Sequence, residues 1–109
     1  MSLYKIKIIP GQRRSFRTEI LGGKEYGIDI RLNPLDSRFH MRIERNGKIV
    51  KAGAAVVPGV DLLSINPNAE QPAGSMYLYD LDMDNPKVGR EPTLETFGDR
   101  ILLVWDDGK

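Results

Sequence analysis

Apolar and polar residues alternate with a period of two along most of the chain, the mark of strands with one buried and one wet face. In "YKIKI", Tyr4, Ile6 and Ile8 share one face while Lys5 and Lys7 take the other. "SFRTEI" sets Phe16, Thr18 and Ile20 against Ser15, Arg17 and Glu19, and the more apolar trio is assigned to the core. "EYGIDIRL" places Tyr26, Ile28, Ile30 and Leu32 inward, and "RFHMRIE" does the same with Phe39, Met41 and Ile43. The intervening "GQRR", "GGK" and "NPLDS" supply turns, and Asn46-Gly47 is the strongest short hairpin signal, because both residues tolerate positive φ. The first half is therefore predicted as a meander of about five short strands.

The second half is less regular. "MYLYDL" is a strand with Met76, Leu78 and Asp80 on one face and Tyr77, Tyr79 and Leu81 on the other. "RILLVWD" is a near-continuous apolar strand at the end. Two long connections separate these elements, and "TLETFGD" offers at most one helical turn. The fold expected over residues 1–109 is a single all-β domain, a small antiparallel β-sandwich or partly open β-barrel with two long loops.

Composition narrows the function. Sixteen Lys and Arg against fifteen Asp and Glu give a formal charge of +1, with no overall pull toward nucleic acid or an anionic membrane. Cysteine is absent, which removes disulfides, thiolate chemistry and sulfur-ligated metals. No apolar run approaches the ~18 residues that a membrane-spanning helix needs. With no greasy signal core at "MSLYKIKIIPG", the chain is expected to remain in the cytoplasm where it is made, or to leave it by a route the sequence does not encode.

One stretch invites a metal. "DLDMDNPKVGRE" sets Asp80, Asp82 and Asp84 at its first, third and fifth positions and Glu91 at its twelfth, the spacing of a calcium loop between helices. Asn85 stands where such loops need a left-handed residue, and Pro86 stands where they offer a carbonyl. The flanking segments argue against it, since "MYLYDL" is a strand pattern and Pro92 follows. An acidic connector between strands is the simpler reading.

Other constellations are weaker. His40 falls on the polar face of its strand and lacks a second ligand for zinc or a neighbouring nucleophile. Arg13, Arg14 and Arg17 with Lys5 and Lys7 make a basic strip, but alternation turns Phe16 away from it, so a solvated face is expected rather than a base-stacking platform. In "AAVVPGVDLLSI", apolar residues crowd around Pro58-Gly59. Two core strands joined by a type II turn would explain this, and so would a surface that packs on another chain.

The order of segments resembles a known family. "RNGKIVKAGAAVVPGVDLL", then a loop, then "GSMYLYDLDMDNPKVGRE", then "LETFGDRILLVW" is similar to the baseplate plug proteins of contractile-tailed phages and their prophages. Gly53 through Leu63 match its Pro-Gly segment, Asp80, Asp82 and Asp84 its acidic loop, and Phe97-Gly98 through Leu103 and Trp105 its closing element. Phe97 stands where leucine is more usual. The likeness covers most of the chain and is strongest from Tyr26 onward.

The resemblance implies a non-enzymatic component of a phage or prophage tail, without cofactor or metal, built into the virion after assembly in the host cytoplasm. Its expected partners are other tail and baseplate proteins, with no membrane and no nucleic acid, and oligomerisation within the particle is compatible with it. The contact residues expected are Val57, Pro58, Gly59, Val60 and Asp61 in one loop and Asp82, Met83, Asp84, Asn85 and Pro86 in the other. The alternative from another class is a small-ligand or nucleic-acid-binding β-barrel whose loops form a mouth.

Overall fold

The computed structural model describes residues 3–65 and 67–108. Its strands are β1 (Leu3–Ile6), β2 (Arg14–Leu21), β3 (Lys24–Asn33), β4 (Arg38–Arg45), β5 (Lys48–Ala55), β6 (Ser75–Asp80) and β7 (Ile101–Asp106). They form two antiparallel sheets, one ordered β2-β3-β4-β5 and the other β1-β7-β6, with no helix among the described residues. The sheets face each other as a sandwich and do not close into a barrel.

Turn chemistry accounts for the four-stranded sheet. Gly22 and Gly23 have φ of 64° and 82°, and Asn46 and Gly47 have 53° and 75°. Two successive positive φ values give the type I′ turn whose twist matches adjoining antiparallel strands. Between β3 and β4, the carboxamide oxygen of Asn33 accepts the Leu35 N–H at 2.9 Å, and Asp36 accepts the Arg38 N–H at 3.0 Å. Ile28, Ile30, Met41 and Ile43 from the middle strands then face the opposite sheet and are almost fully buried.

The predicted five-strand meander is corrected at its first member. β1 pairs with β7 in the opposite sheet, with Leu3 opposite Asp106 and Ile6 opposite Leu103. The cause is β7, whose buried apolar run needs a hydrogen-bonded neighbour on each side, and β1 and β6 supply them. The segment around Pro10 and Gly11 is thus a crossover between sheets rather than a hairpin turn.

The face assigned to β2 is also corrected. Phe16 and Ile20 lie on the outside, 54% and 64% exposed, whereas Glu19 and Leu21 are buried. The Gly22-Gly23 turn pairs Leu21 with Lys24, which aligns Glu19 with Tyr26, Arg17 with Ile28 and Ser15 with Ile30. Residues aligned across a ladder share a face, so the turn, not the composition of β2, selects which set points inward. Glu19 is tolerated there because the Tyr4 hydroxyl donates to it at 2.8 Å and Arg17 Nε lies 3.4 Å away. That contact holds the Tyr4 phenol proton more tightly than usual, chiefly through the hydrogen bond to the carboxylate.

β5 carries a bulge against β4, with the register shifting on both sides of Ile43. The bulge buries Val50 and Lys51 in succession. The Lys51 ammonium donates to the Ile65 carbonyl, and burial pushes its pKa below the ordinary lysine value while Asp61 acts in the opposite direction.

Of the two core strands considered around Pro58-Gly59, only the one before the turn forms, as β5, which ends at Ala55. Gly59 has the positive φ of 77° that a turn after Pro58 needs, but the chain beyond is irregular. Leu62 and Leu63 are nevertheless buried to the level of strand residues. The Leu62 N–H donates to the Met76 carbonyl at 2.8 Å, so this segment lies along the open edge of β6.

Candidate functional site

The acidic connector begins where β6 ends. Asp80 follows the inward alternation of Met76 and Leu78, and it is only 2% exposed. A carboxylate that deep must have its oxygens satisfied. One accepts the Asp82 N–H at 3.1 Å and the other the Arg90 N–H at 3.1 Å, with Arg90 Nε at 3.5 Å. Arg100 Nε lies 3.8 Å from Asp80 and 3.3 Å from Asp82, and Arg90 reaches Asp82 at 3.4 Å. Gly89 permits this closure, because a Cβ there would fall 2.4 Å from that of Asp80.

Calcium ligation would require these acids to converge with Glu91. Glu91 instead turns to Arg38 of β4, with its oxygen 2.7 Å from Arg38 Nε. Among the described residues no three acidic or histidine side chains gather as a metal cluster. The connector is organised by arginine. Arg90 and Arg100 were not identified from sequence, and the only local signal is that each adjoins the acidic run or its closing strand.

The backbone N–H of Arg90, foremost, and that of Asp82 hold the Asp80 carboxyl below the ordinary carboxylate range, against the opposing effect of burial. A carboxylate with a lowered folded pKa contributes stability that is complete above its unfolded pKa of ~4, and that is lost as pH falls through the folded value. Asp80→Asn is therefore expected to lower the urea midpoint at pH 7. The gap from the native chain should narrow progressively below pH 4, as read from urea titrations followed by tryptophan fluorescence.

The two proposed contact segments start from the same end of the sandwich. The Val56 N–H donates to the Phe39 carbonyl at 2.8 Å, and Phe39 packs edge-on against Phe97 with ring centroids 4.9 Å apart. Phe97 bridges to Ile101, which pairs with Asp80. Val57, Pro58 and Val60 are half-buried and Gly59 is exposed. Asp61 is held inward, its Oδ1 accepting the N–H groups of Leu63 at 3.0 Å and Met76 at 2.9 Å. In the other loop Asp82, Met83, Asp84 and Asn85 are exposed and Pro86 is half-buried, its carbonyl accepting the Asp80 N–H at 2.8 Å. Leu81 and Val88 add exposed apolar surface to this acidic loop and were missed from sequence.

A second surface lies on the outer face of the four-stranded sheet. Phe16 covers Gly27, where a Cβ would meet its ring at 2.9 Å, so Phe16 stands beside arginines rather than in the core. The arginines belong to Asp29, itself 2% exposed, which has Arg31 at 3.1 Å, Arg42 at 3.2 Å and Arg14 at 3.5 Å. Arg42 also reaches Glu44 at 3.1 Å, so three guanidinium groups share two carboxylates on this face. His40 pairs with Asp36 at 2.7 Å, a contact that, after the Arg38 N–H, holds the Asp36 carboxyl below its usual range. Among the described residues the sheets do not close into the barrel of the ligand-binding alternative, and Met41, Leu62, Leu63, Met76 and Leu78 fill the space between them.

Comparison with known proteins completes these observations. A family model described as cyanophage baseplate Pam3 plug gp18 matches residues 3–108. No curated protein gives a significant match.

Proposed function

The chain belongs to the cyanophage baseplate plug family, which gives it a structural role in a phage baseplate, and from that premise we propose that it acts without catalysis, through protein–protein contacts. It takes its place near the hub where tail tube and central spike meet, after assembly in the host cytoplasm. The contacts are made by the loop containing Val57, Pro58, Gly59, Val60 and Asp61 and by the loop containing Asp82, Met83, Asp84, Asn85 and Pro86.

One observation carries this reading: the acidic loop is rigidly anchored at its base by Asp80, Arg90 and Arg100, yet it displays Leu81, Met83 and Val88 to solvent. Apolar side chains displayed on a loop whose base is anchored suit docking, since less backbone entropy remains to be lost on binding. Beneath them Asp80 and Asp82 are both engaged by Arg90 and Arg100, which fits a scaffold for contacts.

The test is co-expression with the tail tube, hub and spike proteins of the same phage, followed by affinity capture. The native chain is expected to retain at least one of them. Met83→Asp with Val88→Asp, which leaves Asp80, Arg90 and Arg100 in place, should reduce capture at least tenfold. Retention of no tail protein by the native chain would count decisively against the proposal.

A further inference from the structure

The four strand edges of the sandwich differ in how they are closed. β1 has four residues, and β5 is broken by its bulge. The outer edge of β6 is covered, because Asp61 and Leu62 take the N–H and carbonyl of Met76 and Pro86 takes the N–H of Asp80. β2 is eight residues long, free of proline and bulge, and hydrogen-bonded only to β3. Such an edge is a template for another strand.

Its polarity can be read from the hairpin. In a two-residue turn the flanking residues, here Leu21 and Lys24, exchange both hydrogen bonds. Alternation then directs the backbone groups of Glu19, Arg17 and Ser15 toward β3. The Leu32 N–H donating to the Arg13 carbonyl at 2.7 Å continues the same parity. The N–H and C=O groups of Phe16, Thr18 and Ile20 therefore point away from the sheet, and their side chains are exposed as well.

We propose that β2 pairs antiparallel with β2 of a second copy about a two-fold axis at Thr18, joining the two four-stranded sheets into one. The sequence "RSFRTEIL" complements itself in this register. Thr18 meets Thr18 of the second copy on the axis, while Phe16 meets Ile20 and Arg17 meets Glu19, these two pairs each occurring twice. Apolar and opposite-charge pairs across a ladder are the favourable ones. The other registers of correct parity fail. Centring on Arg17 or Glu19 sets like charges face to face, and centring on Phe16 or Ile20 leaves the other apolar residue beyond the end of the partner strand. This pairing is independent of the baseplate reading and covers the two most exposed apolar side chains of the sheet.

Sedimentation equilibrium of the intact chain at high micromolar concentration is expected to give twice the single-chain mass. Thr18→Pro should return it to the single mass with unchanged circular dichroism, since the Thr18 N–H makes no bond to β3. The register is read separately by oxidation, because the native chain has no cysteine. Residues in a hydrogen-bonded pair stand ~5.5 Å apart at Cα, within disulfide reach. Thr18→Cys should cross-link with itself, and Phe16→Cys should cross-link only when mixed with Ile20→Cys. A native chain of single mass, leaving the edge to a different protein's strand, would overturn the proposal. So would self-cross-linking of Phe16→Cys.

Discussion

Phe97→Ala will lower the unfolding free energy by about 3–5 kcal/mol, the usual cost of removing a buried phenylalanine. Phe97 is 1% exposed and packs edge-on against Phe39, so its ring fills the gap between the start of β4 and the approach to β7. Its backbone is fixed on both sides, with its N–H donating to the Thr93 carbonyl at 3.0 Å and the next residue held by Ile101. A scaffold pinned in this way collapses poorly into a cavity, which places the cost toward the upper end of the range. A domain of this size has a total stability of ~5–15 kcal/mol, so the variant should be close to the limit of folding at 37 °C. Urea titration is the measurement. A fall in midpoint with an unchanged slope marks a lost core contact rather than a changed fold. Phe97→Leu, which keeps most of the volume, should cost well under half as much.

Gly98→Ala is the second large effect, expected at about 2–4 kcal/mol from a steric clash added to backbone strain. Gly98 has a φ of 95°, and a Cβ built on it falls 2.1 Å from the carbonyl oxygen of Ile8. That oxygen is backbone and lies just past β1, which is hydrogen-bonded to β7, so relief requires shifting main chain against the β1-β7 pairing. Gly59→Ala separates the two contributions. Gly59 also has a positive φ, but nothing lies within 4 Å of its Cβ position. Its substitution should cost only the left-handed strain, ~1–2 kcal/mol. Equal losses at the two positions would show that Gly98 is not a point of close approach.

These two residues explain part of the closing element by which the family resemblance is read. Phe97 and Gly98, with buried Leu103 and Trp105, are architectural: they join the final strand to the rest of the core. The order of such positions reports the fold. The loops between them are where a docking role has to be sought.

The strands themselves were legible because alternation is a local property and the Asn46-Gly47 turn has a local cause. Alternation also set Asp80 on one face with Met76 and Leu78, and the structure shows that face to be the buried one. What could not be read depends on contacts distant in sequence. The placement of β1 was decided by the needs of β7, about a hundred residues later. The inward face of β2 was decided by a two-glycine turn that outweighed the attraction of Phe16 and Ile20 to the core. The burial of Lys51 required a bulge and a carbonyl from the following loop. The calcium-like spacing was real, but its meaning rested on Arg38, Arg90 and Arg100, which spacing within the acidic run does not reveal.

The pairing of Leu3 with Asp106 brings the chain's entry and exit threads together, at the opposite end of β7 from Ile101 and Asp80. A fluorophore or affinity handle attached beside Leu3 or Asp106 is thereby carried away from the acidic loop, and the protein can be tethered to a sensor surface with that loop facing the solution.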